Sequence, residues 1–145
     1  MDWLGSLTIM FIGACLTHHL TIGRDKLTAR RNASSKFRGS VLAALTGLYP
    51  HPVNWPDDID PTLRNAFPTL QTAVEEFRPF VRWWQRRAYD RAWLRYRCAT
   101  GRQVDIQCYL HYTNIQNLDE PKPPTDAKIT FHRNVSALLA FGAPT

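Results

Sequence analysis

The sequence predicts a mainly α-helical fold: an amino-terminal transmembrane helix continuing into a small helical bundle, with a short irregular or strand segment near residues 104–112. An uncharged stretch opens the chain, WLGSLTIMFIGACL followed by THHLTIG, and long enough to cross a bilayer. Beyond it, apolar residues recur at helical spacing in several segments punctuated by proline and glycine. Only one short run alternates with the period of a strand, and no other segment offers it a mate. With 145 residues, 44% apolar and 21% charged, the chain is neither a disordered tail nor a multispanning protein. Residues 1–23 are expected to form the span and residues 24–145 a single cytoplasmic domain.

At a rise of 1.5 Å per residue, a helix over residues 3–23 reaches about 31 Å, against a hydrocarbon core of about 30 Å. The start, Met1-Asp2, and the absence of a small-x-small site after the apolar run disfavour a cleaved signal peptide. Lysine and arginine flanking a span stay on the cytoplasmic side. Only Asp2 precedes it, whereas Arg24, Lys26, Arg30, Arg31, Lys36 and Arg38 follow, so the rule puts the amino terminus outside and the domain inside. His18 and His19 stand about 100° apart on a helix and cannot share one metal ion from a single face.

The first soluble helix is expected to continue from the span to Tyr49, with Phe37, Val41, Leu45 and Leu48 on one face and Pro50 ending it. Residues 50–61 hold prolines and aspartates that suggest a stiff loop. Asp60 reads as an N-cap and Pro61 as the first position of a helix carrying Phe67, Leu70, Val74 and Phe77. Pro68 and Pro79 each remove a backbone donor, and a kink is expected between Arg78 and Trp83. The following helix runs from Trp83 to about Ala99. With Phe80 at zero, Trp84 falls at about 40° and Trp93 at about 220°, so aromatic groups surround it and it is the expected central element. Val104, Ile106, Cys108, Leu110 and Tyr112 alternate as a strand would, residues 117–124 form a loop, and Thr125 or Asp126 caps a last helix. That helix bears Ile129, His132, Val135, Leu138 and Leu139 and is expected to turn its aliphatic residues toward the bundle.

Phe37-Arg38 after the basic stretch, Tyr89-Asp90-Arg91-Ala92-Trp93 followed by Tyr96, and HRNVSALLAF over residues 132–141 resemble a loose group of small, functionally uncharacterised bacterial proteins. Those proteins have an amino-terminal membrane helix, a helical cytoplasmic domain and a terminal amphipathic helix. The resemblance implies this topology and the bacterial inner membrane. It brings no activity and no functional residue, and the arginines and tryptophans over residues 82–95 depart from the group's pattern.

The basic net charge of +6 is concentrated rather than spread. Arg78, Arg82, Arg86, Arg87, Arg91, Arg95 and Arg97 interleave with Trp83, Trp84, Tyr89, Trp93 and Tyr96. Four-residue spacing sets Arg87, Arg91 and Arg95 in one ridge, and Arg78, Arg82 and Arg86 in another if the helix is unbroken. Guanidinium groups bind phosphate bidentately and stack on aromatic rings, so Arg82, Arg86, Arg87, Arg91, Arg95, Trp83 and Trp84 are the candidate surface for membrane lipid or a protein partner. Nucleic acid ranks below these because no recognised binding motif accompanies the charge. The competing reading pairs these arginines with Asp57, Asp58, Asp60, Glu75 and Glu76.

No activating partner for Cys98 or Cys108, glycine-rich phosphate loop, H-E-x-x-H or paired cysteine motif is present, so no cofactor or metal is expected, and an enzyme with an unrecognised site ranks last among the readings. Cys15 falls in the span, leaving Cys98 and Cys108, for which reduced, partly buried thiols are expected.

Overall fold

In a computed structural model, the structure describes residues 3–98, 107–113 and 126–143, with side chains from residue 24 onward except Leu110. The chain divides into two compact units, Met1–Asn32 and Ala33–Thr145. The first is helical. From residue 3 onward its backbone belongs to α1 (Trp3–Ala44), and Arg24, Lys26 and Arg31 are exposed. The side chains of the predicted span lie outside the described residues. Among the described residues no helix is long and apolar enough to cross a membrane.

The second unit is a helical bundle built from the end of α1, α2 (Asp60–Phe77), α3 (Arg86–Arg97) and α4 (Ala127–Leu139). Phe37, Val41, Leu45 and Leu48 are all buried, as their spacing requires. The helix closes at Ala44, short of the expected Tyr49. Turns follow in which Gly47 takes φ +86, a conformation a side chain resists, and its carbonyl accepts from Asn54 N–H at 3.1 Å.

Helix α2 buries Leu63, Phe67, Leu70, Ala73, Val74 and Phe77. The expected cap moves by one residue: Ile59 stands at the cap position without a side-chain cap bond and Asp60 is already helical, its N–H donating to Asp58 Oδ1 at 3.1 Å and its carboxylate accepting from Arg64 at 2.6 Å, one turn on. Pro68 sits inside α2 without ending it, on the exposed side. Pro79 does end it, because it offers no N–H to the carbonyl four residues back. A 3-10 turn, Arg78–Phe80, gives way to extended Val81, then to a second turn, Trp83–Gln85, ahead of α3. The break therefore falls in the expected interval.

That break corrects the reading of α3 as aromatic on all sides. Trp83 and Trp84 precede the helix, and within it Tyr89, Ala92, Trp93 and Tyr96 form a single buried stripe. The last helix is corrected as well. Asp126 caps it, accepting from Lys128 N–H at 2.8 Å, and Val135, Leu138 and Leu139 face inward as expected, but Ala127 and Phe131 join them while Ile129 is 63% exposed. Among the described residues there is no strand, only an isolated parallel bridge between Cys98 and Cys108, with a 3-10 turn at Leu110–Tyr112. Residues 99–106 and the predicted 117–124 loop lie outside the described residues.

Two aromatic clusters bind the helices. Phe37 stacks on Phe77 at 4.6 Å and meets the edge of Tyr89 at 6.2 Å, and Tyr89 meets Phe141 at 5.3 Å. On the other side, Trp93 stacks between Phe67 and Tyr96, and Phe131 of α4 meets Tyr96, Tyr112 and Trp55. Such pairs are held by area burial plus a directional term of about 0.5–1.5 kcal/mol each.

Candidate functional site

The seven candidate side chains fall into two groups because the helix breaks between them. Val81 and Arg82 are extended, so the turn Trp83–Gln85 turns both indoles away from the core: Trp83 is 76% exposed and Trp84 58%. Their rings meet edge to face at 5.7 Å, and the Arg82 guanidinium lies 5.4 Å from the Trp84 ring centre. Phe80 adds a partly exposed ring. Arg86 opens α3 and ties the turn down, donating from Nε to the Val81 carbonyl at 3.4 Å. The result is an outward aromatic surface edged by guanidinium groups, a combination suited to a boundary that is apolar on one side and anionic on the other.

The second group lies along α3. Arg91 Nε donates to the Arg87 carbonyl at 3.2 Å, which keeps the Arg87, Arg91 and Arg95 ridge as expected, whereas the Arg78, Arg82 and Arg86 ridge does not exist across the break. Arg91 and Arg95 line a cavity of about 360 Å³ between α3 and α4, with Ala88, Ala92, Arg133, Asn134, Ala137 and Phe141. Asn134 is fixed there by donating to the Tyr112 hydroxyl at 3.0 Å and to the Arg95 carbonyl at 3.3 Å. Arg133 and Asn134 were not singled out as site residues by sequence reasoning. They lie within the 132–141 motif, but only the packing of α4 on α3 turns them toward Arg91 and Arg95.

The expected pairing of the arginines with the acidic segment takes a different form. Arg78 clamps Asp90 through both carboxylate oxygens, at 3.1 and 3.0 Å, fastening the α2 end to α3. Glu76 takes Lys36 at 2.7 Å and Asp60 takes Arg64. Arg97 lies 5.3 Å from the Trp93 ring centre. Cys98 is buried, Cys108 half-buried, and they are not joined by a disulfide. Among the described residues no three His, Cys, Asp or Glu side chains gather as metal ligands would.

Four tyrosines, Tyr89, Tyr96, Tyr109 and Tyr112, are buried in the bundle. The Tyr112 hydroxyl donates to the Tyr96 carbonyl at 3.0 Å, and Tyr89 donates to the Val74 carbonyl at 3.0 Å, while the buried hydroxyls of Tyr96 and Tyr109 have no partner among the described residues. Burial holds all four phenols well above their ordinary range, assisted at Tyr89 by the Glu75 and Asp90 carboxylates. Burial pushes the His111 imidazole down, against an opposing pull from the Cys108, Arg95 and Tyr96 backbone. A folded state that retains phenolic protons the unfolded chain releases loses stability as pH rises above about 10. One that leaves an imidazole neutral loses it as pH falls below about 6.5. Unfolding midpoints measured across pH are therefore expected to show a shallow acid limb that His111→Gln flattens, and a steep alkaline limb that remains in this variant.

The fold and the two groups define a small helical bundle with a cationic, aromatic surface and a separate arginine-lined cavity. No family model, curated protein or solved structure matches the chain.

Proposed function

We propose that the protein is a membrane-tethered helical interaction module without catalysis of its own. Residues 3–23 anchor it in the bacterial inner membrane, amino terminus outside and domain in the cytoplasm, and its 80–87 surface docks on the anionic face of that membrane. The observation carrying the docking is the exposure of Trp83 and Trp84 beside Arg82. Indoles partition to the headgroup level of a bilayer, and guanidinium groups bind its phosphates. The carboxylate nearest in sequence, Asp90, is already neutralised by Arg78, so little negative charge opposes an anionic leaflet. The anchor is supported by the length and lack of charge of residues 3–23 and by the basic residues that follow.

A full-length Trp3→Phe protein in bilayers of brominated phosphatidylglycerol is expected to show quenched tryptophan emission. Adding Trp83→Phe and Trp84→Phe should remove most of that quenching, and about 1 M salt should weaken it. Equal quenching in all variants, or equal quenching by brominated zwitterionic lipid, contradicts the docking surface. Cross-linking through position 84 to a protein, or protection by RNA, without quenching would assign the surface to that partner instead.

A further inference from the structure

The cavity between α3 and α4 has a chemistry of its own. Arg91, Arg95 and Arg133 stand at its rim, and none of the three is paired with a carboxylate among the described residues. Like charges brought together repel, and pairing is the usual way a folded chain relieves that repulsion. Among the described residues the only other polar side chain in the lining is Asn134, whose amide nitrogen is committed to Tyr112 and Arg95 and whose carbonyl contributes no negative charge. The rest of the lining is apolar: the small side chains of Ala88, Ala92 and Ala137 and the ring of Phe141. Phe141 is itself set by its edge contact with the buried Tyr89. A volume of about 360 Å³ lies at the lower end of small-molecule sites, which are about 300–1,000 Å³ and combine an apolar lining with a few convergent polar groups.

We propose that this cavity binds a phosphate-bearing organic anion, its phosphate held by Arg91, Arg95 and Arg133 and its apolar part resting on Ala88, Ala92, Ala137 and Phe141. A phosphate monoester is matched to three guanidinium groups because its oxygens accept paired N–H donors and its double negative charge offsets theirs. The alanines leave room for a flat or branched apolar group where larger side chains would fill the groove. This site is separate from the 80–87 surface, and it stands whether or not that surface meets a membrane. The same chemistry is presented by a soluble phosphate ester and by the headgroup of a phosphatidic-acid-type lipid.

The test is titration of the full-length, detergent-solubilised protein with phenyl phosphate, with inorganic phosphate as the comparison. Phenyl phosphate is expected to bind saturably at one site and more tightly than inorganic phosphate, and Arg95→Gln with Arg133→Gln is expected to weaken it about tenfold or more. The doubly substituted protein should keep the parent melting temperature without ligand, since no ion pair among the described residues is broken. Trp83→Phe with Trp84→Phe should bind phenyl phosphate as the parent does. Competition then separates the sources. Displacement of phenyl phosphate by short-chain phosphatidic acid, and by vesicles containing it, assigns a lipid headgroup; displacement by the short-chain form but not by vesicles assigns a soluble ester. Unchanged binding in the arginine variant, equal affinity for inorganic phosphate, or loss of binding in the tryptophan variant each overturns the proposal.

Discussion

Phe37→Ala is expected to cost about 3–5 kcal/mol, a large share of the roughly 5–15 kcal/mol that holds a domain of this size together. Phe37 comes from the end of α1 and is 2% exposed. It stacks on Phe77 of α2, meets Tyr89 of α3, and runs so close to the turn after α4 that a Cβ on Gly142 would lie 2.9 Å from its ring. Truncation therefore opens a void bordered by three other elements, and the stacked and edge-on neighbours cannot all close over it. Phe80→Ala is the control, since that ring is partly exposed on the connecting turn and should cost far less. Urea unfolding followed by circular dichroism checks both. Similar midpoints for the two variants would show that Phe37 is not the joint between α1 and the rest.

The second large effect follows from the proposed tether. Ile9→Arg with Phe11→Arg places two guanidinium groups in the apolar run, each costing about 2.5–3.5 kcal/mol at the centre of a membrane helix. The variant is expected to leave the membrane fraction for the soluble one while the bundle of the second unit still folds, because none of its core residues is altered. Retention of the doubly substituted chain in the membrane fraction would mean that something other than residues 3–23 holds it there.

The buried faces of α1 and α2 were legible because their neighbours follow the helical period: Phe37, Val41, Leu45 and Leu48, then Phe67, Leu70, Val74 and Phe77. The break after Phe77 was legible from Pro79, whose missing donor has no substitute. Pro68 carries the same defect, yet α2 continues through it on an exposed side, so backbone chemistry alone does not say which proline wins. The last helix misled because Ile129 and Phe131 offer two overlapping stripes. The choice between them depends on the shape of the partner surface, where Trp55, Tyr96 and Tyr112 receive a ring at Phe131.

For the candidate site the arginines and tryptophans were visible as a composition, but their partition was not. A small change of backbone at Val81 and Arg82 separates Trp83 and Trp84 from the stripe of Tyr89, Trp93 and Tyr96, and it is that change which makes an exposed surface of two indoles. Arg133 and Asn134 join Arg91 and Arg95 only through the packing of helices distant in sequence, about which spacing within either helix is silent.

Alkaline extraction of membranes carrying the full-length chain tests the tether most directly. Above about pH 10 the unfolded chain releases phenolic protons that the folded bundle retains, so the bundle loses stability and its exposed surface loses the shape that presents it, and only a helix lodged in hydrocarbon can retain the chain. The account predicts that the protein stays with the pelleted bilayers and that the Ile9→Arg, Phe11→Arg variant does not. Recovery of the unaltered chain in the supernatant would contradict it.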